Sequence, residues 1–103
     1  MKLVRDNIPD IIEESGKSCS WRWVKNHEEH LKFLKLKILE ETSEFIENPC
    51  VEEAADILEV LRSLIDLSGL SFDKVMIEAR LKSEQRGGFK AGVILEKIIN
   101  EKG

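Results

Sequence analysis

At 103 residues the chain has room for one domain with a single, modest core. A formal net charge of −4 leaves no basic footprint for a phosphodiester backbone, so no nucleic-acid polymer is an expected partner. Hydrophobic residues make up 42% and charged residues 35%. No apolar run approaches the roughly 18 residues of a membrane span, so a soluble protein with no membrane partner is expected.

The opening Lys2-Leu3-Val4-Arg5-Asp6-Asn7-Ile8-Pro9 leads into a short helix with Pro9 as its first helical residue, running to about Ser15 and stopped by Gly16. Arg5 and Asp6 either reach the principal site or pair with each other, and the mutual pair is the simpler expectation. From Ser18 to Lys25, Cys19, Trp21 and Trp23 alternate with Ser20 and Arg22, which suits a short extended piece with its tryptophans in a core or interface. Base stacking by one of them is the alternative. Cys19 and Cys50 make no metal-ligand spacing. With no charged-then-apolar leader ahead of Leu3-Val4-Arg5, both are expected reduced in a cytoplasmic protein.

Asn26, with Glu29 three positions on, marks the start of a long helix that runs to about Asn48 and is ended by Pro49. Its apolar line Leu31, Leu34, Ile38, Phe45 has a gap, and Glu41 fills it. Leu36, Leu39 and Ile46 make the far side apolar too, so this helix is expected to be sandwiched, in a bundle or between subunits. His27 and His30 have no third ligand nearby and read as surface histidines.

A short turn places the next helix, Val51 to about Ser68, antiparallel to the first. Glu53 falls within its apolar arc of Ala54, Ile57, Val60, Leu61, Leu64 and Leu67, with Asp56 at the edge. Glu52, Glu59, Arg62 and Asp66 share the solvated face. After Gly69, Ser71 caps a helix from Phe72 to about Arg86, with a packing stripe of Phe72, Val75, Met76, Ala79 and Ser83 and a cationic pair, Lys82 and Arg86. Gly87-Gly88-Phe89 breaks it. Ala91 to Asn100 reads as a docking segment, helical or partly extended, and Glu101-Lys102-Gly103 should fray.

The chemistry concentrates in Lys37-Ile38-Leu39-Glu40-Glu41-Thr42-Ser43-Glu44 and in Glu53-Ala54-Ala55-Asp56. Glu41 with Glu44, and Glu53 with Asp56, are i, i+3 pairs, each on one helix face, and two antiparallel helices would aim all four carboxylates into one space. Such a set calls for a hard divalent cation, Mg²⁺ with Mn²⁺ as the alternative. A solvated face laced with salt bridges explains ordinary acidic pairs, but not glutamates in apolar arcs. Lys37 is placed to be the counter-ion of these acids when no metal is present.

The chain resembles the all-α nucleoside triphosphate pyrophosphohydrolases, the MazG-like and phosphoribosyl-ATP pyrophosphohydrolase-like group. The resemblance rests on Leu3-Val4-Arg5-Asp6-Asn7-Ile8-Pro9, Lys37-x-x-Glu40-Glu41-x-x-Glu44, Glu53-x-x-Asp56-Ile57-Leu58-Glu59-Val60 and Lys82-x-x-x-Arg86-Gly87-Gly88-Phe89. It implies an antiparallel helical bundle completed by oligomerisation, as a homodimer or dimer of dimers, with Glu41, Glu44, Glu53 and Asp56 binding Mg²⁺. It also implies a nucleoside triphosphate substrate, cleaved to monophosphate and pyrophosphate. Glu40 or Glu44 is then the expected general base, and Lys37, Lys82 and Arg86 the expected substrate-binding cations. Phosphoribosyl-ATP hydrolysis and a catalytically silent assembly or nucleotide-sensing module are the alternatives. Two positions depart from the group: Asn7 stands where a lysine is common, and the segment between Glu44 and Glu53 is short.

Overall fold

In the computed structural model, which describes residues 1–100, four helices occur in chain order: α1 (Ile8–Glu14), α2 (His27–Glu47), α3 (Val51–Leu67) and α4 (Phe72–Arg86). No strand is present among the described residues, so the fold is all-α. None of these helices is long and apolar enough to cross a membrane. The chain divides into two compact units, Met1–Phe72 and the segment from Asp73 onward.

Local chemistry sets the helix ends close to where the sequence places them. Asn26 is extended and its side chain accepts the Glu29 N–H at 2.8 Å, satisfying one of the free donors of the first turn of α2. The Glu29 carboxylate turns outward and does not complete a capping box. It accepts the Lys25 N–H at 2.9 Å and the Arg22 guanidinium at 2.8 and 3.2 Å. These bonds tie the Ser18–Lys25 segment to the start of α2. At the other end, Asn48 and Pro49 stop the helix, and α3 resumes at Val51.

Helix α3 closes with a left-handed glycine. Gly69 has φ 78°, its N–H is donated to the Asp66 carbonyl, and the Leu70 N–H is donated to that of Ile65, both at 3.0 Å. A side chain would strain this turn, and glycine alone adopts it freely.

Within the first unit α2 and α3 form the packed pair. The pairing is antiparallel: His30 and Leu34 share a cleft with Val60 and Ser63, whereas Glu41 lies with Glu53 and Asp56. Leu34, 3% exposed, and Ile65, 7% exposed, are the buried hydrophobics among the described residues. The N-terminal segment before α1 lies along this hairpin, and half-buried Leu3 and Val4 line the same cleft.

Three expectations need correction. The Ser18–Lys25 stretch has no regular structure, because no neighbouring strand takes up its backbone groups. Of the two places expected for its tryptophans, the core of this chain is excluded and an interface stays open: both are exposed, packed edge-to-face on each other with centroids 5.0 Å apart and planes at 86°. On α4 the stripe is covered only at its beginning. Phe72, under the Arg62 guanidinium at 4.3 Å, and Val75 are half-buried, whereas Met76, Ala79 and Ser83 are exposed.

Residues 91–100 carry no helix or strand, and Val93, Ile94, Leu95, Ile98 and Ile99 are exposed. The expectation for Glu101-Lys102-Gly103 concerns residues outside those described. Cys19 and Cys50 are free thiols, both half-buried.

Candidate metal centre

Glu41 sits in the apolar line of α2, and packing against α3 leaves it 6% exposed. One oxygen, Oε1, accepts from Lys37 Nζ at 3.2 Å, one helical turn back. The other, Oε2, is buried with no hydrogen-bond partner, as is Glu53 Oε2 on the facing helix. A buried carboxylate oxygen without a donor is costly unless a cation lies against it.

Asp56, one turn along from Glu53, completes the group. Glu41, Glu53 and Asp56 each offer an oxygen, and these oxygens all lie within 4.8 Å of one another. A single Mg²⁺ or Mn²⁺ with ligand distances near 2.1 Å spaces its own ligands by about 3 to 4 Å, so a small shift of side chains suffices. The donor set, three carboxylates without sulfur or imidazole, is that of a hard cation.

Glu44, the fourth expected ligand, is exposed and stands outside this group of three. It is nevertheless an electrostatic neighbour. The negative charge of nearby Glu41 pushes its carboxyl pKa up, helped by desolvation and by the charges of Glu53 and Glu40. A raised carboxyl pKa marks excess negative charge that the protein's own cations leave uncompensated.

Those cations are two. Lys37, with its side chain 17% exposed, reaches Glu41 and also Glu40 Oε2 at 3.3 Å. Burial opposes its charge, but the hydrogen bonds to Glu41 and Glu40 outweigh burial and hold its pKa above the usual lysine value. This is the counter-ion role that the sequence suggests. Arg5 is the second cation, its Nη2 donating to Asp56 Oδ1 at 2.6 Å. The expected Arg5–Asp6 pair is therefore corrected: the N-terminal segment lies along the hairpin, which carries Arg5 to the acidic centre.

Beside the three carboxylates opens a cleft of about 230 Å³, with Leu34 and Val60 in its lining and Arg5, His30, Lys37 and Glu59 at its polar positions. Two of these read as surface residues in the sequence. His30 is half-buried in the cleft, not a surface histidine; it shares the stripe of Leu34, Lys37 and Glu41, and that spacing was the available signal. Glu59 is exposed, yet it lines the cleft one turn beyond Asp56 instead of facing away from it.

Of the remaining expected site residues, Glu40 is half-buried and held by Lys37. Lys82 and Arg86 are exposed on α4, which belongs to the second unit. In comparisons with known proteins the chain matches no family model, no curated protein and no solved structure.

Proposed function

We propose that the chain is a Mg²⁺-dependent nucleoside triphosphate pyrophosphohydrolase of the MazG-like kind, releasing a nucleoside monophosphate and pyrophosphate. The observation that carries this reading is Glu41, a glutamate placed in a hydrophobic helix stripe with an oxygen that no protein group satisfies. A metal centre explains both the burial and the orphaned oxygen.

Glu41, Glu53 and Asp56 would hold the cation, with Glu44 adding its charge at the exposed rim. When bound, Mg²⁺ supplies charge neutralisation for the triphosphate and acidifies water. Water would cleave the α,β-phosphoanhydride, its oxygen ending on one phosphorus while the bridging oxygen leaves with the other, and a site carboxylate would take its proton. Glu44, at the exposed rim of the group, and Glu40, engaged by Lys37, are the two candidate bases. Lys37 stays beside Glu41 as a fixed positive charge.

Assembly forms part of the proposal. Leu36, Leu39 and Ile46 on α2 are 54%, 69% and 71% exposed, more apolar surface than one helix ordinarily leaves open. A second copy covering this face gives the expected homodimer, or a dimer of dimers.

Pyrophosphate release from a panel of nucleoside triphosphates and phosphoribosyl-ATP, with and without Mg²⁺, tests the reading. Mg²⁺-dependent release from a triphosphate supports it. Release confined to phosphoribosyl-ATP moves the assignment to that substrate, and no release from any of them leaves the silent assembly module.

A further inference from the structure

Asp56 has two claims on it. It belongs to the carboxylate group suited to a cation, and it is the partner of Arg5, a residue 51 positions away in sequence. The two counter-ions of the centre differ in a way that decides which one yields. Lys37 is largely buried, lies on the same helix as Glu41 and is shared with Glu40, so it is held from two sides. Arg5 comes from a non-helical segment, its side chain is 56% exposed, and that side chain's only hydrogen bond among the described residues is the one to Asp56. The remaining guanidinium donors are unused. An exposed pair of this kind contributes little to stability and exchanges easily.

We propose that Arg5 is an exchangeable counter-ion of the acidic centre, holding Asp56 until a divalent cation takes that carboxylate and then turning its free guanidinium fork onto a phosphate group in the cleft. This rests on the metal-centre reading above. The cleft beside Arg5 is where such a group would lie, and the planar fork binds phosphate oxygens in pairs, as a lysine does not. The dication takes over the compensation of Asp56, and the arginine charge passes to an anion that arrives with the metal.

The test is calorimetric titration of Mn²⁺ into the native protein, Arg5→Gln, Arg5→Lys and Glu53→Gln, followed by titration of inorganic tripolyphosphate at saturating Mn²⁺. Removing the competing charge should tighten Mn²⁺ binding by Arg5→Gln about two- to fivefold, the range an exposed ion pair allows. The same variant should bind tripolyphosphate about tenfold or more weakly, as expected for a lost charged hydrogen bond. Arg5→Lys should bind Mn²⁺ like the native protein and recover only part of the tripolyphosphate affinity. Weaker Mn²⁺ binding by Arg5→Gln would mean that Arg5 positions Asp56 for the metal and does not compete with it, which overturns the proposal. Unchanged binding of both probes would overturn it too. If native protein and Glu53→Gln bind Mn²⁺ alike, or neither does, the metal-centre reading itself fails, and the Arg5 proposal with it.

Discussion

Lys37 Nζ stands 3.2 Å from Glu41 Oε1, so the one carboxylate buried among the described residues is satisfied on one side by its own helix and on the other by nothing. The lysine neutralises a single charge of a group that also contains Glu53 and Asp56. A cation bound at the open side should therefore stabilise the fold directly. Mg²⁺ at about a hundredfold excess over its dissociation constant should add roughly 2.7 kcal/mol by mass action, seen as a rise in melting temperature. In Glu53→Gln the rise should be largely lost, and equal rises in the two proteins would place the binding elsewhere.

Amide substitutions separate the acids that carry chemistry from those that decorate the surface. Glu41→Gln, Glu53→Gln and Asp56→Asn keep shape and remove charge, and each should lower pyrophosphate release by about a hundredfold or more. Glu44→Gln should do the same if Glu44 is the base. Glu52→Gln, on an exposed position one residue from Glu53, should leave turnover nearly unchanged. A Glu52→Gln as damaging as Glu53→Gln would contradict the helical phase on which the site depends.

Acid stability should report on the clamp at the start of α2. Hydrogen bonds from Arg22 and from the Lys25 N–H hold the Glu29 carboxyl at a pKa of about 2, below its ordinary value near 4.5. The folded state therefore releases this proton more readily than the unfolded chain. The stabilisation is fully present above pH 4.5 and fades as the pH falls towards 2. Glu29→Gln should flatten the pH dependence of chemical denaturation across that window. An unchanged slope would show that the clamp does not persist in solution.

The exposed apolar face of α2 predicts association. Light scattering at micromolar concentration should give at least a dimer, and Leu39→Glu combined with Ile46→Glu should give a monomer by placing charges on that face. A native monomer would refute the expected assembly.

The helices were readable because their ends are chemically marked: Asn26, Pro49 and Gly69 each act through bonds within a few residues. Glu41 was readable for a related reason, since an acid in a hydrophobic stripe violates a local rule that is visible on the helical wheel. Arg5 was legible only as one of two alternatives, because its partner is determined by where the N-terminal segment lies, and nothing in the neighbouring residues encodes that. The tryptophans were legible only in part. Alternation along Ser18–Lys25 describes the backbone's tendency, but no partner strand among the described residues makes use of it, so of core and interface only the core is excluded.

Position 41 also sets a conflict between two kinds of fitness. Leucine there would continue the stripe of Leu34 and Ile38 and remove a desolvated charge, while Lys37 would keep Glu40 as a partner. Replacing a whole buried ion pair by well-packed apolar side chains is often neutral or stabilising by about 1 to 4 kcal/mol, and the usual cost of removing one partner alone is avoided here because Lys37 keeps Glu40. Glu41→Leu should thus yield a protein at least as resistant to heat as the native one and unable to hold the cation. Engineering for thermal resistance by filling the hairpin core would reach this residue early and, if the proposed metal centre holds, would trade function for stability there.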